Sequence, residues 1–133
     1  MNTSKIQGMI AAVIGIVVAV AAGWFFVYSQ NQEQNREPGK YDAFAQCLED
    51  KGAVFYGAFW CPHCQSQKKM FGSSEALLPY VECSTPNGKS QTQECKDKKI
   101  ENYPTWEFAD GSRMMGKIAL EKLAEKTGCE LPQ

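Results

Sequence analysis

Apolar and polar positions divide the chain into three zones. From Ile10 to Tyr28 nineteen residues run without a charge. At the helical rise this stretch reaches roughly 28 Å, about the thickness of a bilayer core. It reads as a transmembrane anchor over residues 10–28, behind a short N-terminus of residues 1–9. Ser29 to Lys40 is polar and lacks apolar periodicity, which predicts a flexible tether over 29–40. From Tyr41 onward short periodic segments alternate with turn residues, so 41–133 is the folded domain.

Within that domain the periods predict eight elements. Apolar Tyr41, Phe44, Ala45 and Leu48 have helical spacing, ended by Gly52. Ala53 to Phe59 reads as a buried strand. Cys61 to Phe71 reads as a helix, with Gly72 beyond its end. Leu77 to Cys83 is a second strand, with Pro79 near its start. Gln91 to Ile100 is a helix. Thr105–Ala109 and Ser112–Gly116 form a hairpin about Asp110-Gly111. Ile118 to Thr127 closes the domain as a helix, with Gly128 at its end. This order predicts an α/β fold in which a central mixed sheet is flanked by helices on both faces.

Charge and composition narrow the functional classes. The formal net charge is −1, which gives no basic surface for nucleic acid. Lys96, Lys98 and Lys99 are interleaved with Glu94 and Asp97 and read as a solvated helix face. Lys5 precedes the apolar run, and Trp24 and Tyr28 lie toward its far end. The positive-inside rule then puts the N-terminus in the cytoplasm and the domain in a periplasm, another extracytoplasmic space or an equivalent lumen. Ala19-Val20-Ala21 has the small-x-small form of a signal-peptidase site, so a cleaved leader is the rival reading. Six cysteines behind such a segment suit an oxidising compartment.

The candidate chemistry lies in Phe59-Trp60-Cys61-Pro62-His63-Cys64, at the exit of a predicted strand and the entry of a predicted helix. Thiol–disulfide exchange proceeds through a thiolate. Unpaired N–H groups and the positive end of the macrodipole at a helix start favour that form at Cys61. Pro62 suits the first helical position, where no N–H is missed. His63 adds partial positive charge. Cys64, one turn in, is placed to resolve a mixed disulfide at Cys61. Cys61 is therefore the candidate nucleophile and Cys64 the candidate resolving thiol. A zinc ribbon needs a second close cysteine pair, which is missing, so no metal is expected. Haem attachment needs His directly after the second cysteine, and Gln65 stands there.

These residues resemble the thioredoxin superfamily. Tyr41 to Leu131 is more closely similar to the thioredoxin-like domain associated with bacterial and plant vitamin K epoxide reductase (VKOR) homologues. The motifs are Tyr56-Gly-Ala-Phe-Trp-Cys-Pro-His-Cys-Gln-Ser-Gln-Lys68, Met70-Phe-Gly72, Pro79-Tyr-Val-Glu-Cys-Ser84, Cys95 and Tyr103-Pro-Thr-Trp106. The resemblance implies a thioredoxin-like fold whose leading strand is absent, because the tether runs straight into the first helix. It implies a cis Pro104 lying against the dithiol, where an incoming peptide pairs with the Tyr103 backbone. Trp60, Tyr103, Thr105 and Gly116 are the candidate groove. It also implies a structural Cys83–Cys95 disulfide, with a redox relay as the alternative for that pair.

Two features qualify the resemblance. Thioredoxin reductants carry a buried acid six residues before the first active cysteine, and here that place is Phe55. No proton acceptor for Cys64 is then evident, which favours an oxidant or isomerase. Cys47 reads as a free core thiol. In a thioredoxin-like layout the first and last helices lie on opposite sheet faces, which argues against a Cys47–Cys129 bridge.

The expected function is that of a membrane-anchored protein disulfide oxidoreductase acting through Cys61 and Cys64. The chain shows no cofactor motif, so electrons leave through another protein. The resemblance implies that this partner is a VKOR-type, quinone-linked integral-membrane protein. A thiol reductase for cytochrome c maturation, a disulfide isomerase and a redox-inert chaperone module are the alternatives.

Overall fold

A computed structural model describes residues 17–27 and 38–133, in two units that divide between Glu37 and Pro38. In the first unit, residues 17–27 form a helix, α1. Among the described residues no helix is long and apolar enough to cross a membrane. The remainder of the predicted anchor, 10–16 and 28, lies outside the described residues, as do the N-terminus 1–9 and the tether over 29–37.

The second unit follows the order read from the periods. It runs α2 (Asp42–Asp50), β1 (Val54–Gly57), α3 (Pro62–Lys69), a 3-10 helix (Gly72–Leu77), β2 (Tyr80–Glu82), α4 (Gln93–Asp97), β3 (Thr105–Glu107), β4 (Arg113–Met115) and α5 (Leu120–Thr127). The sheet order is β2-β1-β3-β4. β1 pairs parallel with β2, and the other pairings are antiparallel. No strand precedes α2 among the described residues. This mixed α/β layout fits a thioredoxin-like fold.

Side chains alternate across β1 and sort the core into two parts. Phe55 points to one face, where it stacks on its cross-strand partner Trp106 at 4.8 Å between ring centroids. Phe44 and Leu48 of α2, Cys64 of α3 and Leu120 and Leu123 of α5 bury against the same cluster. Tyr56 points to the other face and packs with Cys83, Cys95 of α4 and Ile100.

Several boundaries moved for identifiable reasons. The predicted strand from Leu77 begins only at Tyr80, because the 3-10 helix takes the chain to Leu77 and Pro79 carries no N–H for the ladder. The helix expected from Gln91 begins at Gln93, since Gln91 is held in a bridge to Ser84. It ends before Lys99, whose φ of 54° leaves the helical region. The last helix starts at Leu120 rather than Ile118, because the Ile118 backbone is bound by Gln67.

One expectation is overturned. Cys47 is not a free thiol: it is bonded to Cys129, with Cα atoms 5.9 Å apart. The physical reason lies in the missing strand. A helix between two parallel strands is committed to one face by the right-handed crossover. Helix α2 follows no strand, so its side of the sheet is set by Phe44, Ala45 and Leu48, which join the core shared with α5. The first and last helices therefore share a face, and Cys47 meets the residue after Gly128.

The two structural disulfides close loops of very different length, 82 and 12 residues apart in sequence. The chain-entropy treatment gives about 4.5 kcal/mol for Cys47–Cys129 and about 3 kcal/mol for Cys83–Cys95. Replacing Cys47 and Cys129 with Ser is expected to lower the thermal midpoint more than replacing Cys83 and Cys95. Calorimetry of the two double variants checks the order, and the reverse order refutes the loop-length account.

Candidate active site

Cys61 is the N-cap of α3, and Pro62 occupies the first helical turn. The Cys61 backbone is extended, which turns its sulfur back over the helix start. There the sulfur accepts the Cys64 backbone N–H at 3.4 Å, and it lies 3.7 Å from the Tyr103 carbonyl oxygen. Thus the helix that bears the cysteines supplies one contact and the loop before β3 supplies the other. Cys61 and Cys64 are the free cysteines among the described residues; Cys83 is bonded to Cys95.

The two thiols differ in environment. Cys64 lies beneath the first turn with 1% exposure. Burial, then its hydrogen bond with Cys61, pushes its pKa up to about 12, against a pull downward from a backbone hydrogen bond with Ala58 and from the Lys68 ammonium. Cys64 is thus a neutral thiol at physiological pH. Cys61 is 4% exposed and sits between the exposed rings of Phe59 and Trp60 and the exposed His63.

The other candidate residues fall into distinct places. Tyr103–Pro104 is cis, and Pro104 is fully buried. Trp60 meets Tyr103 edge to face at 6.1 Å and donates its indole N–H to the Ser84 hydroxyl at 2.9 Å. With Gly88 and Gln91 these residues line a hollow beside the dithiol. Gln91 also donates to the Tyr103 hydroxyl at 2.6 Å. Thr105 is buried, and its hydroxyl donates inward to the Asn102 carbonyl, so its side chain does not line the hollow. Gly116 donates its N–H to the Pro104 carbonyl at 2.8 Å, which ties the end of β4 to the proline loop.

Three further residues escaped the sequence reading. Gln67, on α3, is fully buried and clamps the Ile118 backbone: its amide nitrogen donates to the carbonyl at 3.0 Å, and its oxygen accepts the N–H at 2.7 Å. This fixes α3 against the entry to α5. Glu82 accepts the N–H groups of Phe59 at 3.2 Å and Ser84 at 2.8 Å. It also accepts the Tyr80 hydroxyl at 2.8 Å. The available signal was strand alternation, which sets Tyr80 and Glu82 on one face of β2. For Gln67, three positions after Cys64 in a polar run, the sequence offers no comparable signal.

No protein-family model matches the chain. The chain is similar to a protein of Arabidopsis thaliana named thiol-disulfide oxidoreductase LTO1, with 46% identity over 95 residues, 68% of this chain. It spans only a quarter of that relative's length. The similarity supports a protein disulfide oxidoreductase.

The contrast between the thiols yields a measurable ranking. Iodoacetamide at neutral pH is expected to modify Cys61 first and to leave Cys64 unmodified in the folded protein, as mapped by mass spectrometry. The folded-state pKa of Cys64 is raised, so the unfolded chain releases this proton first as pH rises. Reduced protein should therefore lose stability progressively from about pH 9 to about 12. A Cys64→Ala variant should lack that component. Equal alkylation of both thiols refutes the assignment.

Proposed function

We propose that this chain is a membrane-anchored thiol–disulfide oxidoreductase that oxidises protein thiols through Cys61 and Cys64. The observation that carries the reading is the distribution of the six cysteines. Four are locked in disulfides, while the pair flanking Pro62-His63 is free at a helix start, against the Tyr103 carbonyl. Similarity to a relative named for this activity supports it. A substrate thiolate attacks the Cys61 sulfur of the oxidised pair. Cys64 leaves with the bonding electrons, and a second substrate thiol displaces Cys61. The substrate gains a disulfide and the enzyme ends as a dithiol.

The high pKa of Cys64 bears on the lifetime of the mixed disulfide. Protonated Cys64 is a poor attacker at neutral pH, so a mixed disulfide at Cys61 persists long enough for the second substrate thiol to reach it. The substrate surface is the hollow beside Trp60 and Tyr103. A strand-like peptide laid there meets the exposed rings of Phe59 and Trp60.

The membrane setting rests on the uncharged run Ile10–Tyr28 behind Lys5. With an anchor at 10–28, a tether over 29–40 holds the domain near the bilayer and raises its effective concentration toward membrane partners. The recycling partner in this reading is a VKOR-type integral-membrane protein that passes electrons to a quinone, as the motif resemblance implies. The domain then faces the periplasm or an equivalent lumen.

Two experiments test this. Cys64→Ser is expected to trap substrates, and a cysteine of the quinone-linked membrane protein, as mixed disulfides through Cys61, whereas Cys61→Ser traps none. Quinone depletion should leave Cys61 and Cys64 reduced in cells, read by thiol trapping; a pair that stays oxidised overturns the partner. Separately, the full chain should remain with membranes after alkaline carbonate extraction. Recovery in the soluble fraction with a new N-terminus near Ala22 overturns the anchor.

A further inference from the structure

Cys64 must gain or lose a proton whenever the dithiol turns over, yet it is 1% exposed. The place of a buried acid six residues before Cys61 is filled by Phe55, which is fully buried between Trp106 and Tyr80. A different set of groups reaches the sulfur. Register pairs Phe55 with Tyr80 and Gly57 with Glu82 on adjacent parallel strands. Alternation then turns Tyr80 and Glu82 toward the α3 face. A Cβ on Gly57 would lie 3.0 Å from the Cys64 sulfur and 3.3 Å from the Tyr80 hydroxyl. Glycine leaves that point open, and the Cys64 sulfur and the Tyr80 phenol both border it. The Tyr80 hydroxyl in turn donates to the Glu82 carboxylate at 2.8 Å.

The charged groups around this path are few. Lys68, one turn after Cys64 on α3, places its ammonium 3.3 Å from the Tyr80 ring centroid. Cys61 lies at the helix start and Glu82 on β2, while Gly57 at the end of β1 and Ala58 just after it lie beside the sulfur. Tyr80 and Glu82 are half-buried, so the far end of the pair meets water.

We propose that Tyr80 and Glu82 form a proton relay for Cys64, in the place of the acid that Phe55 replaces. The inference rests on the exchange chemistry proposed for Cys61 and Cys64. When Cys64 attacks a disulfide at Cys61, its thiol proton passes to the Tyr80 oxygen while the Tyr80 proton passes to Glu82. Tyr80 is a phenol before and after. The Cys64–Cys61 bond forms, the bond from Cys61 to the outer sulfur breaks, and the outer thiolate leaves with its electron pair. In the oxidising direction the same proton runs from Glu82 through Tyr80 to the departing Cys64 sulfur. Lys68 holds the Tyr80 ring against this path and favours negative charge along it.

The test uses the full chain reduced and then treated with Ellman's reagent, which loads Cys61 with thionitrobenzoate; Cys64 releases it in a second, intramolecular step. Glu82→Gln keeps one oxygen to accept the Phe59 and Ser84 N–H groups, puts an NH2 in place of the oxygen that accepts the Tyr80 hydroxyl, and takes no proton. It is expected to slow the second step about tenfold or more, as does Tyr80→Phe, which leaves the first step unchanged. Both variants should move the pH profile of release upward, and the double variant should cost little more than either single one, as groups in series require. Release at the wild-type rate with an unaltered pH profile in Glu82→Gln overturns the relay, as does full additivity. A wild type that shows the Tyr80-dependent step yet oxidises no protein dithiol keeps the relay and removes the oxidant reading.

Discussion

The hydrogen bond from the Cys64 backbone N–H to the Cys61 sulfur, at 3.4 Å, orders the rest of this domain. It requires Cys61 to be the cap of a helix and not a member of it, with an extended backbone. It also requires that helix to be held still. Gln67 binds it to the Ile118 backbone, and Phe71 stacks on Phe44 of α2 at 5.8 Å. The chain leaving the sheet holds the start of α3, and the Ile118 backbone and the aromatic stack hold its far end. The polar surface of the helix explains why such clamps are needed: of its eight residues, only Cys64 and Gln67 are buried. Its amphipathic face is too narrow to hold it by apolar contact alone.

The same geometry separates the two sulfurs into different media. Cys61 follows the exposed rings of Phe59 and Trp60, and Cys64 is buried with Gly57 and Tyr80 beside it. At Cys64 burial outweighs the pull of the Lys68 ammonium and keeps the thiol protonated. Glu82 links this arrangement to the substrate side. It anchors the N–H groups of Phe59 and Ser84, and Ser84 in turn receives the Trp60 indole. Any change in the charge of Glu82 therefore reaches the loop that carries Trp60.

Much of this was legible in the residues, and the misses have physical causes. Elements with a clear period and a glycine stop were readable: α2 before Gly52, the hairpin about Asp110-Gly111, and α5 before Gly128. That Cys61 stands at a helix start followed from Pro62 directly after it, although the helix itself begins at Pro62 and not at Cys61. Elements set by tertiary contacts were not. The 3-10 helix has no apolar stripe of its own and is held by contacts such as the Ser74 hydroxyl, which accepts the Tyr41 N–H. The partner of Cys47 was misread because helix placement was carried over from folds with a leading strand. Thr105 was assigned to the groove by its neighbourhood to Pro104, but the pleat of β3 turns it inward.

The bond between Cys47 and Cys129 has a mechanical meaning. It joins the first helix of the domain to the residue beyond the last one, so the chain from 47 to 129 is a closed covalent ring. Of the second unit, residues 38–46 and 130–133 lie outside it. A pull applied at Pro38 and at Gln133 is carried through two sulfur atoms, not through the strand ladder that seats Cys61. Proteolytic nicking of a loop inside the ring likewise leaves both fragments attached, and the dithiol stays with the sheet that supports it.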